Sequence, residues 1–303
     1  MNVVLVGGTG AIGQVIAKYL DAKNFQYINF TRNAENSYRI LPNALSHIIF
    51  KENNRKELLN AIEQSDAIIN LAGASIAGAR WTDKYKQQIY ESRINSTNFI
   101  ASLINEFPTT KEITFVSTSA IGIYGNRGDE LLSETSSLGN DFLANLCKDW
   151  ERASNNVHSN VRVINPRVGV VLDNKTGALP KLVLPYKFFI GGAIGSGKQW
   201  YSWIHIDDLA KLYVNFLENT FFAGTYNAVA PNPTNMLEFA KRIGSALHRP
   251  SFFKVPEFIL NAMLGEKSAI VLASQRVSSE KLQKNKFKFG FNLLDEALNN
   301  LLC

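Results

Sequence analysis

Cysteine is scarce in this chain. There are two in 303 residues, Cys147 and Cys303, and their spacing fits no metal-binding pattern. Four scattered histidines exclude a histidine-rich metal site as well. No apolar run reaches the ~20 residues that a membrane span requires. No basic leader with an apolar stretch precedes the first strand pattern, which opens directly after Met1-Asn2. A cytoplasmic protein without a membrane partner is expected, and disulfides are not expected in such a compartment. The net charge of +6 is dispersed, with one cluster at Lys281, Lys284, Lys286 and Lys288. Its glycine and phenylalanine neighbours predict a turn and strand with a solvated face, not a nucleic-acid patch. Repeats and low-complexity tracts are absent. What is present is 46% apolar residues, enough for a large core, over a length that suits about two domains.

Short apolar runs alternate with amphipathic stretches. Strands are predicted near the start and at residues 27–31, 47–50, 67–71, 113–117 and 161–164. Helices are predicted at about 11–20, 55–64, 82–105 (stopped by Pro108), 141–156 and 207–218. Near-continuous apolar strands alternating with helices predict an α/β fold: a Rossmann-type doubly wound parallel sheet. Beyond Pro166, the prolines at 180 and 185 and the glycines at 191, 192, 195 and 197 predict a loop-rich excursion. From about Pro231 a smaller C-terminal α+β lobe is expected. The sheet domain is then 1–165 with about 200–228, and the substrate-side lobe is 166–199 with 229–303.

The first turn carries the chemistry. Val3-Val4-Leu5-Val6 runs into Gly7-Gly8-Thr9-Gly10-Ala11-Ile12-Gly13 and then a helix. Gly7 allows the tight turn, Gly10 lets a pyrophosphate approach the main chain, and Gly13 lets the helix sit close to the sheet. The helix start offers unpaired N–H groups and a positive dipole end to the anion. A dinucleotide is the expected ligand. The second strand ends in Phe30-Thr31-Arg32-Asn33, without the carboxylate that usually holds the ribose hydroxyls of NAD. A guanidinium there suits a 2′-phosphate, with Thr31 and Asn33 as added partners, so NADP(H) is favoured over NAD(H).

The glycine pattern resembles an extended short-chain dehydrogenase/reductase once it is joined to two further stretches. These are Asn70-Leu71-Ala72-Gly73 and Ser117-Thr118-Ser119-Ala120 followed by Tyr124-Gly125. The epimerase-like atypical branch of that superfamily is similar over four more stretches. They are Ala79-Arg80-Trp81-Thr82 with Glu91-Ser92-Arg93, Phe142-Leu143-Ala144 through Trp150-Glu151, Arg167 through Leu172, and Gly195 through Trp200 leading to Trp203-Ile204-His205-Ile206-Asp207-Asp208. Residues 253–290 resemble the small domain of unknown function that closes such proteins. The resemblance spans nearly the whole chain, and its members are commonly labelled nucleoside-diphosphate-sugar epimerases. It implies cofactor contacts at Gly7, Thr9, Gly10, Ala11, Ile12, Gly13, Thr31, Arg32, Leu71, Ala72, Gly73, Ser117, Thr118 and Pro166. Pairing of two copies through the long helices, those containing Arg93 and Cys147, is also implied.

The catalytic helix departs from the family pattern. A tyrosine general acid/base and a lysine four residues later are expected there, but Leu143 and Cys147 occupy those positions. Lys148 lies about 100° further round the helix and cannot substitute. Arg93 replaces the asparagine usual in the long helix. Ser117, Thr118 and Ser119 could polarise a carbonyl from the strand end. Tyr124 is either an acid or a packing residue, and Cys147 either a thiol nucleophile or a small core residue. Arg80, Trp81, Arg93, Lys198, Gln199, Trp200 and His205 are candidate cleft residues; for each, a structural role is the alternative. The stretch Gly192 to Gln199 mimics a phosphate-binding loop but lacks the hydroxyl after Lys198 and a following helix. The expected protein is an NADP(H)-dependent, epimerase-like oxidoreductase for a small polar molecule. The alternative is an NADP(H)-binding regulatory or redox-sensing protein without turnover.

Overall fold

The computed structural model describes residues 1–107 and 112–303, so the helix stop expected at Pro108 lies outside the described residues. Seven parallel strands form the main sheet: β1 Asn2–Val6, β2 Gln26–Thr31, β3 Ser46–Ile49, β4 Ala67–Asn70, β5 Thr114–Ser117, β6 Arg162–Val168 and β7 Gly224–Ala228. Their order is β7-β6-β5-β4-β1-β2-β3, with the short strand Ser119–Ala120 also beside β6. Every pairing in this sheet is parallel, so all carboxyl ends share one edge. Chain order reverses between β1 and β4, the place where open α/β sheets leave a crevice.

The central strands are apolar on both faces because both are covered. Val3 and Leu5 pack with helices α1 (Ala11–Ala22) and α7 (Ile206–Glu218). Val4 and Val6 point the other way, onto α3 (Arg55–Glu63) and α4 (Asp83–Ile104). Thr82 caps α4, accepting from Tyr85 N–H at 3.2 Å, and Asp141 caps α5 (Phe142–Ser154), accepting from Ala144 N–H at 2.8 Å.

Pro166 lies within β6, in the sheet interior, where its missing N–H should break a ladder. The break is real and is used. Pairing with β5 ends at Val116 opposite Ile164 and resumes at Ser119 opposite Arg167. The Asn165 side chain fills the gap by donating to Ser117 O at 3.1 Å.

Four expectations are corrected. Helix α2 (Ala34–Ile40) was not expected; its start is marked by Asn33, whose side chain caps it. The loop-rich excursion contains α6 (Leu179–Lys187), because Pro180 is tolerated in a first turn and Pro185 falls near the end. The basic cluster begins as helix Glu280–Lys284, and its Leu282 and Phe287 pack into the sheet's own core. The strand expected to end at Ile164 runs to Val168, so the line drawn at 165 cuts through the sheet. The smaller lobe gathers α6, α8 (Met236–Ala246) and the helix Leu294–Leu302 around Trp203, Tyr201 and Phe239.

Candidate functional site

The loop after β1 is built for a close ligand. Gly7 has φ +80°, and a Cβ on it would lie 3.3 Å from the Leu71 and Ala72 backbone. A Cβ on Gly13 would stand 2.6 Å from the Gly8 main chain, so α1 can seat on the loop only with glycine there. Gly10 is different. It is the N-cap of α1 with no capping side chain, and a Cβ there would meet only Gly7 O at 3.4 Å. The first turn of α1 therefore presents backbone donors to open space, a ready anion site. Gln14 braces the loop by donating to Thr9 O at 2.8 Å.

A buried polar relay behind this loop escaped the sequence reading. Gly8 N–H donates to Asn29 Oδ1 at 3.1 Å, Asn29 Nδ2 donates to Ser37 Oγ at 2.6 Å, and Ser37 Oγ meets His47 Nδ1 at 2.7 Å. Burial pushes the His47 pKa down. The signal available was Asn29 itself, a polar residue inside the apolar run Tyr27 to Phe30. At the end of β2, Thr31 is buried and Arg32 is exposed. Asn33 is committed, because its Oδ1 accepts the Asn36 N–H at 3.0 Å and so is not a spare ribose partner.

The ends of β4 and β5 are tightly bonded. Asn70 donates to Thr97 Oγ1 at 2.9 Å and accepts from Ala72 N–H at 3.1 Å, fixing the Leu71-Ala72-Gly73 turn. Arg93 buttresses that turn and does not line the cleft. Its Nη1 donates to Ala74 O at 3.0 Å and Ile89 O at 3.1 Å, its guanidinium lies over the Trp150 ring, and it fills the space where a Gly73 side chain would project. Ser117 is fully buried, and Thr118 Oγ1 donates to Asn70 O at 2.8 Å while sharing a hydrogen bond with Tyr213.

Two catalytic expectations do not survive the geometry. Ser119 Oγ donates to Glu151 Oε1 at 2.7 Å, inside the sheet-side core. Tyr124 is wholly buried; its hydroxyl donates to Asn227 Oδ1 at 2.6 Å and accepts from Arg167 Nη1 at 3.0 Å. Burial also pushes its pKa up. It is a packing residue with no path to a ligand. Cys147 is buried against the same cluster, and burial pushes its thiol up to about 12, so it is no nucleophile.

A cavity of about 730 Å³ opens at the same carboxyl edge. Trp81, Gly122, Phe142 and Leu143 form one wall, and Lys198, Gln199, Glu257 and Asn261 belong to the other. Leu143, at the position expected for tyrosine, faces this space. Trp81 anchors its wall, with Nε1 donating to Ile76 O at 2.8 Å and its ring edge-on to Phe142. Arg80 is exposed beside Gly265. Gln199 is nearly buried and donates to Ile194 O at 2.8 Å, while Lys198 is exposed. Trp200 stands behind the wall, where its indole donates to Asp129 Oδ1 at 2.7 Å. His205 is away from the cavity. Its Nδ1 accepts the Asp207 N–H at 3.1 Å to cap α7, and its ring stacks on Phe291. The outward face of α4 is polar (Lys84, Gln87, Glu91, Asn95, Asn98).

Comparison with known proteins agrees with this geometry. Residues 3–144 match the NAD dependent epimerase/dehydratase family, and residues 255–301 match a domain of unknown function, DUF1731. The epimerase family protein YfhF of Bacillus subtilis is 37% identical over 305 residues, covering 100% of this chain and 98% of that protein. An SDR39U1 homolog described as chloroplastic, from Arabidopsis thaliana, is 36% identical over 100% of this chain and 87% of its own length. The crystal structure of human epimerase family protein SDR39U1 with NADPH superposes with a TM-score of 0.88 at 30% identity, covering 99% of each chain. A UDP-glucuronic acid 4-epimerase from Bacillus cereus shares the fold at 15% identity and a TM-score of 0.78. The chain belongs to the NAD-dependent epimerase/dehydratase family, among the epimerase family proteins related to SDR39U1.

Proposed function

We propose that this chain is an NADP(H)-dependent, epimerase-like oxidoreductase acting on a small polar molecule held between its two lobes. The observation that carries this reading is the placement, on one sheet edge, of a bare glycine cradle and a cavity of about 730 Å³. Gly7, Thr9, Gly10, Ala11, Ile12 and Gly13 fit a pyrophosphate, because open space and uncapped donors meet at Gly10. Thr31 and Arg32 would hold the adenosine end, and the exposed guanidinium favours a 2′-phosphate. Leu71, Ala72, Gly73, Ser117, Thr118 and Pro166 would border the nicotinamide end. The human relative crystallised with NADPH supports the choice of cofactor. Bound there, NADP(H) supplies the capacity to donate or accept a hydride.

The protein's own groups bind and orient the substrate. Trp81, Phe142 and Leu143 give it an apolar face, and Lys198 and Gln199 a polar one. Proton transfer falls to the cavity wall. Of its carboxylates, Asp141 caps α5, Glu266 pairs with Lys86 and Asp129 accepts the Trp200 indole, which leaves Glu257. The second reading, an NADP(H) sensor without turnover, is favoured by one observation: Leu143 and the buried Cys147 bring no working acid or base to the helix positions that family members use.

Gly10→Ala tests the first reading. The backbone there has φ −71° and the added methyl has room, so the unfolding midpoint should hold. NADPH binding should weaken by at least tenfold, about 1.4 kcal/mol. Equal NADPH binding by both proteins would refute the cradle. With NADPH bound to the wild type, oxidation of many equivalents by small carbonyl compounds or sugars supports the enzyme, and no oxidation supports the sensor.

A further inference from the structure

One edge of the smaller lobe, remote from the cofactor cradle in sequence, puts aromatic rings into water. After α6 the chain turns through Phe188, Phe189 and Ile190, which are 67%, 55% and 54% exposed. The turn is firmly made. Phe188 and Ile190 N–H both donate to Pro185 O at 3.1 Å, and Phe189 N–H donates to Tyr186 O at 3.0 Å. Tyr186 is buried beneath, its hydroxyl donating to Ala240 O at 2.7 Å. Phe189 has φ +61°, a left-handed conformation that bulky side chains rarely adopt. Strain of this kind persists only where the surroundings impose it, and it gathers at working sites.

A second exposed segment lies alongside. Phe253 N–H donates to Gly191 O at 3.2 Å, and strand Gly192–Ile194 pairs with Phe253–Val255. Phe252 and Phe253 are both exposed, Phe252 at 86%. Four phenylalanines and Ile190 thus crowd one edge, more than isolated surface apolars would explain.

The stretches of chain that build this edge carry charge of one sign. Residues 174–206 and 239–256 contain no aspartate or glutamate, yet carry Lys181, Lys187, Arg249 and Lys254. Arg249 lies over the Phe189 ring, 4.5 Å from its centroid. A second copy meeting the same patch would set these cations against their own images. An anionic bilayer surface satisfies both features, with rings entering the interface and cations facing headgroups. We propose that the Phe188-Phe189-Ile190 turn and the Phe252-Phe253 edge form a docking site for an anionic lipid surface. Such docking needs no spanning segment, and among the described residues no helix is long and apolar enough to cross a membrane. The sequence expectation of no membrane partner considered spanning segments, which surface docking does not require.

The test is co-sedimentation of the full chain with vesicles of phosphatidylcholine alone or with about one-third phosphatidylglycerol, at low salt and at about 0.5 M salt. Binding should need the anionic lipid and weaken with salt. Phe189→Gly removes both ring and backbone strain, so its unfolding midpoint should equal or exceed that of the wild type. Combined with Phe252→Ser it should lower vesicle partition by about tenfold or more. No binding of the wild type to anionic vesicles, or equal binding by the double variant, overturns the proposal. So does a concentration-dependent dimer in sedimentation velocity that Phe189→Gly abolishes, because the patch then belongs to a second copy.

Discussion

Arg167 grips Glu151 through two parallel hydrogen bonds, Nε to Oε1 at 2.8 Å and Nη2 to Oε2 at 2.9 Å, with both side chains buried. Glu151 lies one helical turn beyond Cys147 on α5. Ser119, Tyr124 and Asn227 join the pair, so the space behind the cavity wall is occupied by a satisfied structural network. Burial works against the guanidinium's charge, and the Glu151 carboxylate more than offsets it.

Removing one partner should therefore cost more than removing both. Glu151→Ala leaves a buried cation and should destabilise the fold by about 3–5 kcal/mol in urea unfolding. Glu151→Met with Arg167→Met should recover most of that loss. A single variant as stable as the wild type would show that the pair contributes little.

Arg32 extends from the end of β2 into solvent, with no ion pair or hydrogen bond among the described residues. Arg32→Ala should weaken NADPH binding by ~1.5–3 kcal/mol, the scale of a hydrogen bond to a charged group, and leave NADH binding nearly unchanged. Calorimetric titration of both nucleotides decides this. Equal losses would remove Arg32 from 2′-phosphate recognition.

The two thiols should separate cleanly. Cys303 is exposed, while Cys147 is buried with its pKa pushed up to about 12. A thiol reagent at pH 8 should label one cysteine promptly in the native protein and the second only after unfolding. Rapid labelling of two would mean that α5 opens readily.

Acidification should weaken the fold through His205. Burial lowers its pKa, against the pull of Asp207 and Asp208. Above the usual histidine pKa of about 6.5, both folded and unfolded forms are neutral. As pH falls below that value the unfolded chain takes up the proton first, and stability is lost. His205→Asn keeps an N-cap acceptor for Asp207 N–H. It should therefore show a smaller fall in unfolding midpoint between pH 7.5 and 5.5. An unchanged slope would place the titration elsewhere, with His47 the next group to replace.

Much of the fold was legible because period and position agree. Apolar strands such as Val3 to Val6 can sit only in a sheet covered on both faces, and glycine spacing marked the first turn. Helix α2 was missed because Asn33 was read as a ligand partner when it was a cap. Helix α6 was missed because its two prolines were weighed as breakers without regard to where in a helix they fall. At the candidate site, the same hydroxyl or imidazole can face a ligand or the core. Tyr124, Ser119 and His205 faced inward, and only their tertiary partners could reveal it. The loss of acid–base residues at Leu143 and Cys147 was visible once the family resemblance marked those two positions on the helix.

The wall of the cleft is stitched across the two lobes. Asp129 receives the Trp200 indole, Ser274 N–H donates to Asn126 Oδ1 at 3.0 Å, Ser274 Oγ donates to Gly128 O at 2.7 Å, and Gln275 donates to Gly125 O at 3.0 Å. A cleft held in this way has its width set before any ligand arrives. A molecule binding there would be selected by fit to a preformed shape, with little entropy spent on ordering two moving halves.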